Sequence, residues 1–355
     1  MVISNPPRTM PETEVARRSS GWAAPTARAI GLAAGLIAVA VVALLSLRFG
    51  SLPLSTRDSW DALFHYNPDD YEQVIVRSMR LPRTLIAICV GGSLAVAGTV
   101  MQGVTRNPLA DPSILGVSQG ASLGVAIAIT YLGASNPSQY VWVGFLGAML
   151  AAMLVFAVGT AGRGGAGPIK LALAGVVVAA LLSAWTSTLL LMREETMDSM
   201  RFWLAGSVAG RGLDVLKVVS PFLLAGTIGC LLLGHQLNVL SMGDDSARAL
   251  GMRTGRVRVI ASIIVVIITG AAVAVAGPIG FIGLATPHIA RSIAGADYRW
   301  ILPYALVLGA ILLTGADVVG RLVVKPAELQ VGIVTALVGA PFLIYLARTT
   351  RLGAS

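Results

Sequence analysis

Charge is scarce in this sequence: Asp, Glu, Lys and Arg make up 12% of its 355 residues, against 55% apolar ones. A soluble domain carries roughly 25% charged residues, so a soluble globular fold is excluded and a polytopic membrane protein is expected. Cysteine is scarcer still. The two present, Cys89 and Cys230, lie inside uncharged runs, where they read as small packing residues and support neither a disulfide framework nor a cysteine metal site. Lysine occurs only as Lys170, Lys217 and Lys325, none of them preceded by glycine. That excludes the G-x-x-x-x-G-K-[ST] phosphate loop. Carboxylate pairs, metal-spaced histidines and activated nucleophiles are missing from the span ends, which argues against an enzyme. The span interiors also lack the Asp, Glu or His that ion coupling places at the midplane. Asp317 and His288 come nearest. Asp317, one turn before Arg321, is expected to form a local ion pair; His288, beside Pro287, is expected to be a hydrogen-bonded packing residue.

What the sequence does hold is long uncharged stretches. Runs of about 17 or more residues can cross a hydrocarbon core as helix, and in lipid only helices or closed barrels satisfy their own backbone. The runs are continuous rather than alternating, so the fold class is all-α, with about ten transmembrane helices near 29–47, 84–105, 112–132, 140–161, 171–192, 215–234, 259–276, 279–294, 301–324 and 329–347. With the N-terminus inside, the inner segments hold 15 Lys and Arg and the outer ones 11, which orients the chain with both termini cytoplasmic. Residues 1–28, with Pro6, Pro7, Pro11, Pro25 and the pair Arg17-Arg18, read as a disordered cytoplasmic tail rather than a signal peptide. Residues 29–351 then form one ten-helix transmembrane domain.

Sliding the chain by 179 residues lays 91–116 over 270–295 without a gap, with nine identities including Gly91/Gly270, Ala97/Ala276, Gly98/Gly277 and Pro108/Pro287. The second span thereby maps onto the seventh, so the halves, about 84–192 and 259–347, form an inverted repeat of the kind transporters build their pathways between. The chain shows no energy source of its own, so a partner must drive it. The segment 235–258 is where such a partner would dock: Asp244 and Asp245 open a short helical stretch that Gly251 stops, ahead of Arg253, Arg256 and Arg258.

The motifs "RLPR" (80–83), "GTVMQ" (98–102), "NPLADPSILG" (107–116), "GPIGFIGLATPHIAR" (277–291) and "ELQVGIVTALVGAPFLIYL" (328–346) together resemble the permease subunits of bacterial ABC importers for ferric siderophores, haem and cobalamin, nearest in wording to the siderophore permeases. The resemblance implies the type II ABC importer permease fold and a non-catalytic subunit in the bacterial plasma membrane. It binds no cofactor itself, since ATP and Mg belong to the partner ATPase. The implied partners are a second permease, identical or paralogous, two cytoplasmic ATPase subunits, an extracytoplasmic binding protein, the lipid bilayer and a ferric siderophore as cargo, with no nucleic acid. It also implies roles for residues. Arg80, Arg83 and Arg321 would dock the binding protein, and Asn107 and Leu109 would form the cytoplasmic gate. Gly243, Asp244, Asp245, Ala247, Ala249, Leu250 and Gly251 would couple to the ATPase. Where the family can carry a gating Thr-Ser pair before the fifth span, this chain has Pro168-Ile169. The readings beside this one are haem or cobalamin import within the same family, and a secondary transporter outside it.

Overall fold

The computed structural model describes residues 25–50, 54–161, 168–324 and 327–350. The expected tail, up to residue 24, lies outside them; its last four residues already belong to the first helix. Each of the ten expected runs falls on a helix: α1 (Pro25–Arg48), α3 (Tyr71–Thr105), α4 (Val117–Leu132), α5 (Pro137–Thr160), α6 (Pro168–Met192), α8 (Leu213–Leu232), α11 (Thr254–Ala276), α12 (Ile282–Ala294), α13 (Tyr298–Val323) and α14 (Val331–Thr350). Seven of these are long and apolar enough to cross a membrane on their own. Four short helices lie between them: α2 (Thr56–Phe64), α7 (Glu194–Leu204), α9 (Gly234–Ser241) and α10 (Asp244–Ala249). The pattern of apolar runs does not reveal α2. Its signal is the S-x-x-D at 55–58, which forms a reciprocal cap between Ser55 and Asp58.

Burial sorts the long helices into a centre and a shell. The apolar windows of α3 and α11 are 83% and 72% buried, whereas that of α1 is 11% buried. In lipid, apolar side chains gain little by leaving the solvent, so helices associate where small residues let their backbones touch. That rule locates the centre here. Gly91 of α3 lies against the Gly309 backbone of α13, Gly98 against Gly283 of α12, and Gly120 of α4 against Gly147 of α5. A Cβ at Gly91, Gly98, Gly120, Gly147 or Gly309 would collide with backbone.

The inverted arrangement is visible in which ends meet. Arg106, just past the end of α3, and Arg258, in the first turns of α11, both bond Asp244, so α3 and α11 run antiparallel. The pairing across the halves is reciprocal, with α3 packed on α13 and α11 packed on α5. Residue by residue, the ungapped superposition holds only through Ala97 and Ala276. Beyond that, α3 stays helical to Thr105, while α11 stops at Gly277, whose φ of +72° and approach to the Trp203 carbonyl admit only glycine. Pro108 consequently sits in a loop and Pro287 inside a helix.

Two more boundaries differ from expectation. The second span starts thirteen residues early, at Tyr71, and "RLPR" lies within it. Pro82 cannot donate a backbone hydrogen bond, and the helix passes it through a wider π-type turn over Val76–Arg80. The eighth run begins only at Ile282 and gives thirteen helical residues, roughly 20 Å at 1.5 Å per residue, too short to cross alone. The N-termini of α4 and α12 open on one cavity of about 300 Å³, lined by Pro112, Ser113, Ser118, Phe281 and Gly283 with Asp111 at its wall.

The helix crossings yield a paired prediction. Gly309→Leu should lower the yield of folded protein and destabilise it by about 1–3 kcal/mol through overpacking. Gly315→Ala, six residues on in open space where an added Cβ would meet nothing within 4 Å, should be neutral or slightly stabilising. Thermal unfolding in detergent checks both; equal stability of the two variants would contradict the crossing.

Candidate functional site

The chemistry-bearing residues collect at the two ends of the α3–α13 pair. At one end, Asp317 of α13 is 1% exposed and holds two guanidiniums. Arg83 reaches it with Nε and Nη2 at 3.0 and 2.8 Å, and Arg321 with Nη2 at 2.9 Å. The expected Asp317–Arg321 pair is therefore present, within a larger cluster. Arg83 Nη1 also bonds Glu328 at 2.6 Å. Arg321 Nη1 donates to the carbonyls of Ser46 and Phe49 at the C-terminal end of α1. Arg80 does the same to the carbonyls of Leu47 and Arg48, at 2.8 and 2.7 Å. A helix C-terminus leaves its last carbonyls without internal donors, and these two arginines supply them.

The positions singled out for protein docking thus do not project from the surface. Arg80 is 6% and Arg321 2% exposed, because α1 and Asp317 take up their donors. Asp317 and Glu328, the partners of Arg83, lie 234 and 245 residues from it in the chain and carry no local sign of the pairing. His288 also differs from expectation: it packs edge-on to Phe342, and its Nδ1 has no hydrogen-bond partner.

At the opposite end, the residues expected to gate and to couple come together. Arg106 has a left-handed backbone, φ +52°, and turns the chain out of α3 into a loop where Asn107 Oδ1 accepts from the Leu109 amide at 3.0 Å. Leu109 is left exposed. From the turn, Arg106 Nη2 reaches Asp244 at 2.9 Å, and Arg258 reaches the same oxygen at 2.7 Å. Hydrogen bonding to Arg258, with Arg106 and Arg248 nearby, holds the Asp244 carboxyl below its ordinary range. Gly243 precedes α10 at φ +107° and Gly251 follows it at φ +80°. Ala247 anchors the helix inward, while Asp245, Ala249 and Leu250 face out. The Pro168 and Ile169 side chains lie outside the described residues.

A second path runs alongside. Gln102 of α3 accepts from Arg291 of α12 at 2.9 Å. Arg291 bonds Tyr298 Oη at 3.4 Å, and the Tyr298 amide donates to Asn238 of α9 at 2.8 Å. Asn238 also donates to Asp297, the cap of α13, at 2.6 Å. The ion pair with Arg299, then Asn238, push the Asp297 carboxyl down to about 2. Asn238 lies in the expected docking segment 235–258, but none of these residues was singled out for the site; the local signal for the others is the Asp297 cap before an apolar run.

Each end generates a prediction. Asp317→Asn removes the buried charge that Arg83 and Arg321 share and should destabilise the protein by about 3–5 kcal/mol, whereas Glu328→Gln, at a partly exposed position, should cost far less. Denaturant unfolding in micelles measures both. At the other end, the depressed Asp297 carboxyl adds stability that is fully present above its unfolded pKa of about 3.9 and is lost as pH falls through about 2. Wild type should therefore exceed Asp297→Asn by a constant margin from pH 8 to 5. That margin should shrink below pH 4, and growth there would refute the assignment.

Residues 37–349 match the model of the FecCD transport family. The iron(3+)-hydroxamate import system permease protein FhuB of Bacillus subtilis is 45% identical over 91% of this chain and 84% of its own. The ferric enterobactin transport system permease protein FepD of Escherichia coli is 43% identical over 92% of this chain and 98% of its own. A solved structure of a metal-chelate-type ABC transporter in an inward-facing conformation superposes with a TM-score of 0.79 at 32% identity, covering 90% of this chain and 98% of that one. The α3–α13 core and its two polar ends are thus those of a member of the FecCD transport family.

Proposed function

We propose that this chain is the membrane-spanning subunit of an ATP-driven importer that carries a ferric siderophore across the bacterial plasma membrane. The FhuB and FepD relatives are named for iron chelates of that class, which supports the cargo. The energy would come from two ATPase subunits that hold ATP and Mg, with a second permease completing the pathway and an extracytoplasmic protein delivering the cargo. Both termini are then cytoplasmic, and this chain contributes no catalytic residue.

One observation carries the coupling role: Asp244 bonds the gate loop through Arg106 and the base of α11 through Arg258 at the same carboxylate. A push on α10, with Leu250 66% exposed as its contact, is passed directly to the loop bearing Asn107 and Leu109 and to the repeat's second half. In this reading Gly243 and Gly251 permit the turns that present α10, and Ala249 and Asp245 complete its face. The arginines at the far end act inwardly, clamping α1, α3 and α13 so that the receiving surface keeps its shape. They support docking of the delivery protein without touching it.

Reconstitution with the ATPase, second permease and binding protein in liposomes tests this. Ferric siderophore uptake should require ATP. Leu250→Asp should lose ATPase association and uptake together, while Asp244→Asn should keep association and lose at least tenfold in uptake per ATP hydrolysed. Uptake of haem in preference to the ferric siderophore would shift the cargo assignment. Normal uptake by Leu250→Asp would remove the coupling role.

A further inference from the structure

Beside the Asp317 cluster, at the same end of the molecule, lies a cavity of about 730 Å³ between the α4–α5 turn, α7, the loop before α8 and the segment before α14. It falls within the roughly 300–1,000 Å³ of small-molecule sites. Two arginines line it, and their situations differ. Arg83 is neutralised by Asp317 and Glu328. Arg211 is not: its Nε donates to the Val275 carbonyl at 2.9 Å and its guanidinium carbon lies 5.7 Å from the Tyr140 ring centre. Among the described residues no Asp or Glu pairs with it, and burial pulls its pKa down with only Tyr140 opposing. A guanidinium nevertheless stays charged, so the cavity wall holds a net positive charge with unspent donors. Trp203, in the same wall, is 2% exposed and its indole N–H has no acceptor.

Buried donors are normally satisfied, and each exception calls for an explanation. Here the Trp203 N–H is such an exception, and in the same cavity Arg211, bonded only through Nε among the described residues, keeps the donors of a charged group suited to a two-oxygen acceptor. We infer that this cavity is an anion site, in which the Arg211 guanidinium receives a carboxylate of a small, oxygen-rich ligand and Tyr140 and Trp203 line the same cradle. The inference rests on the import reading and deepens it: an anionic chelate arriving at this face would meet a first holding point within a single subunit.

Full-length protein in nanodiscs, without partners, is titrated calorimetrically with citrate as the probe, and with citrate triethyl ester as the uncharged control. Wild type should bind citrate saturably and ignore the ester. Arg211→Gln should weaken citrate at least tenfold, Arg211→Lys should recover part of the loss, and Trp203→Phe, which keeps the ring packing and removes the N–H, should weaken it several-fold with an unchanged melting temperature. No saturable citrate binding, or unchanged affinity in Arg211→Gln and Trp203→Phe, overturns the site. So does saturation by a glutamate-rich peptide with no response to citrate, which would make the cavity a socket for protein side chains. Citrate binding by a chain that supports no uptake would instead defeat the import reading and leave this site standing.

Discussion

Everything in this molecule depends on α3 being able to touch its neighbours at the backbone. The bilayer offers helices no gain from hiding apolar side chains from one another, so contact itself has to hold them. Gly91, Gly98 and Gly309 remove the Cβ atoms that would keep α3 away from α12 and α13. With the backbones that close, side chains as short as aspartate can reach across, and the ionic cluster at one end of α3 becomes possible. Gln102 likewise meets Arg291 only because Gly98 sits on Gly283 a turn away.

The two polar ends solve different problems with the same residue types. At the Asp317 end, one nearly inaccessible carboxylate, Glu328 and the spare carbonyls of α1 satisfy three arginines, so the charges serve to fix three helices against each other. At the Asp244 end the carboxylate is partly exposed and joins two arginines from separate elements, and the joint stays accessible to solvent. A buried ionic cluster is costly to open; a solvent-accessible one can be remade at little cost. The first suits a fixed frame and the second a moving part.

The long helices were legible because lipid demands uninterrupted apolar runs, and "GASNPSQ" at 133–139 marks a real break at the α4–α5 turn. The start of α3 was not: the uncharged run begins only at 84, yet Asp70 is the cap of the helix. The short helix α10 showed itself through Asp244-Asp245 and Gly251, a purely local signature. Its bond to Arg106 spans 138 positions, and the Arg83 partners are farther still. Sequence pattern conveys which segments can be helical, while a pairing between distant charges is set by crossing geometry that no local spacing encodes. The repeat shows the same division. Its small-residue stripe is shared by α3 and α11, but a single glycine with φ +72° ends one helix where the other continues.

The helices that stop inside the structure carry a further consequence. A helix N-terminus bears roughly half a positive charge on its unbonded amides, and those of α4 and α12 open on the same small cavity between the halves, with only the Asp111 carboxylate at its wall to offset them. In a medium of low permittivity such fields are weakly screened. The backbone therefore contributes roughly one positive charge where the two halves meet, and the Asp111 carboxylate, close against Gly283 in the first turn of α12, balances it: an acidic side chain is held between the halves by peptide dipoles instead of by a basic partner.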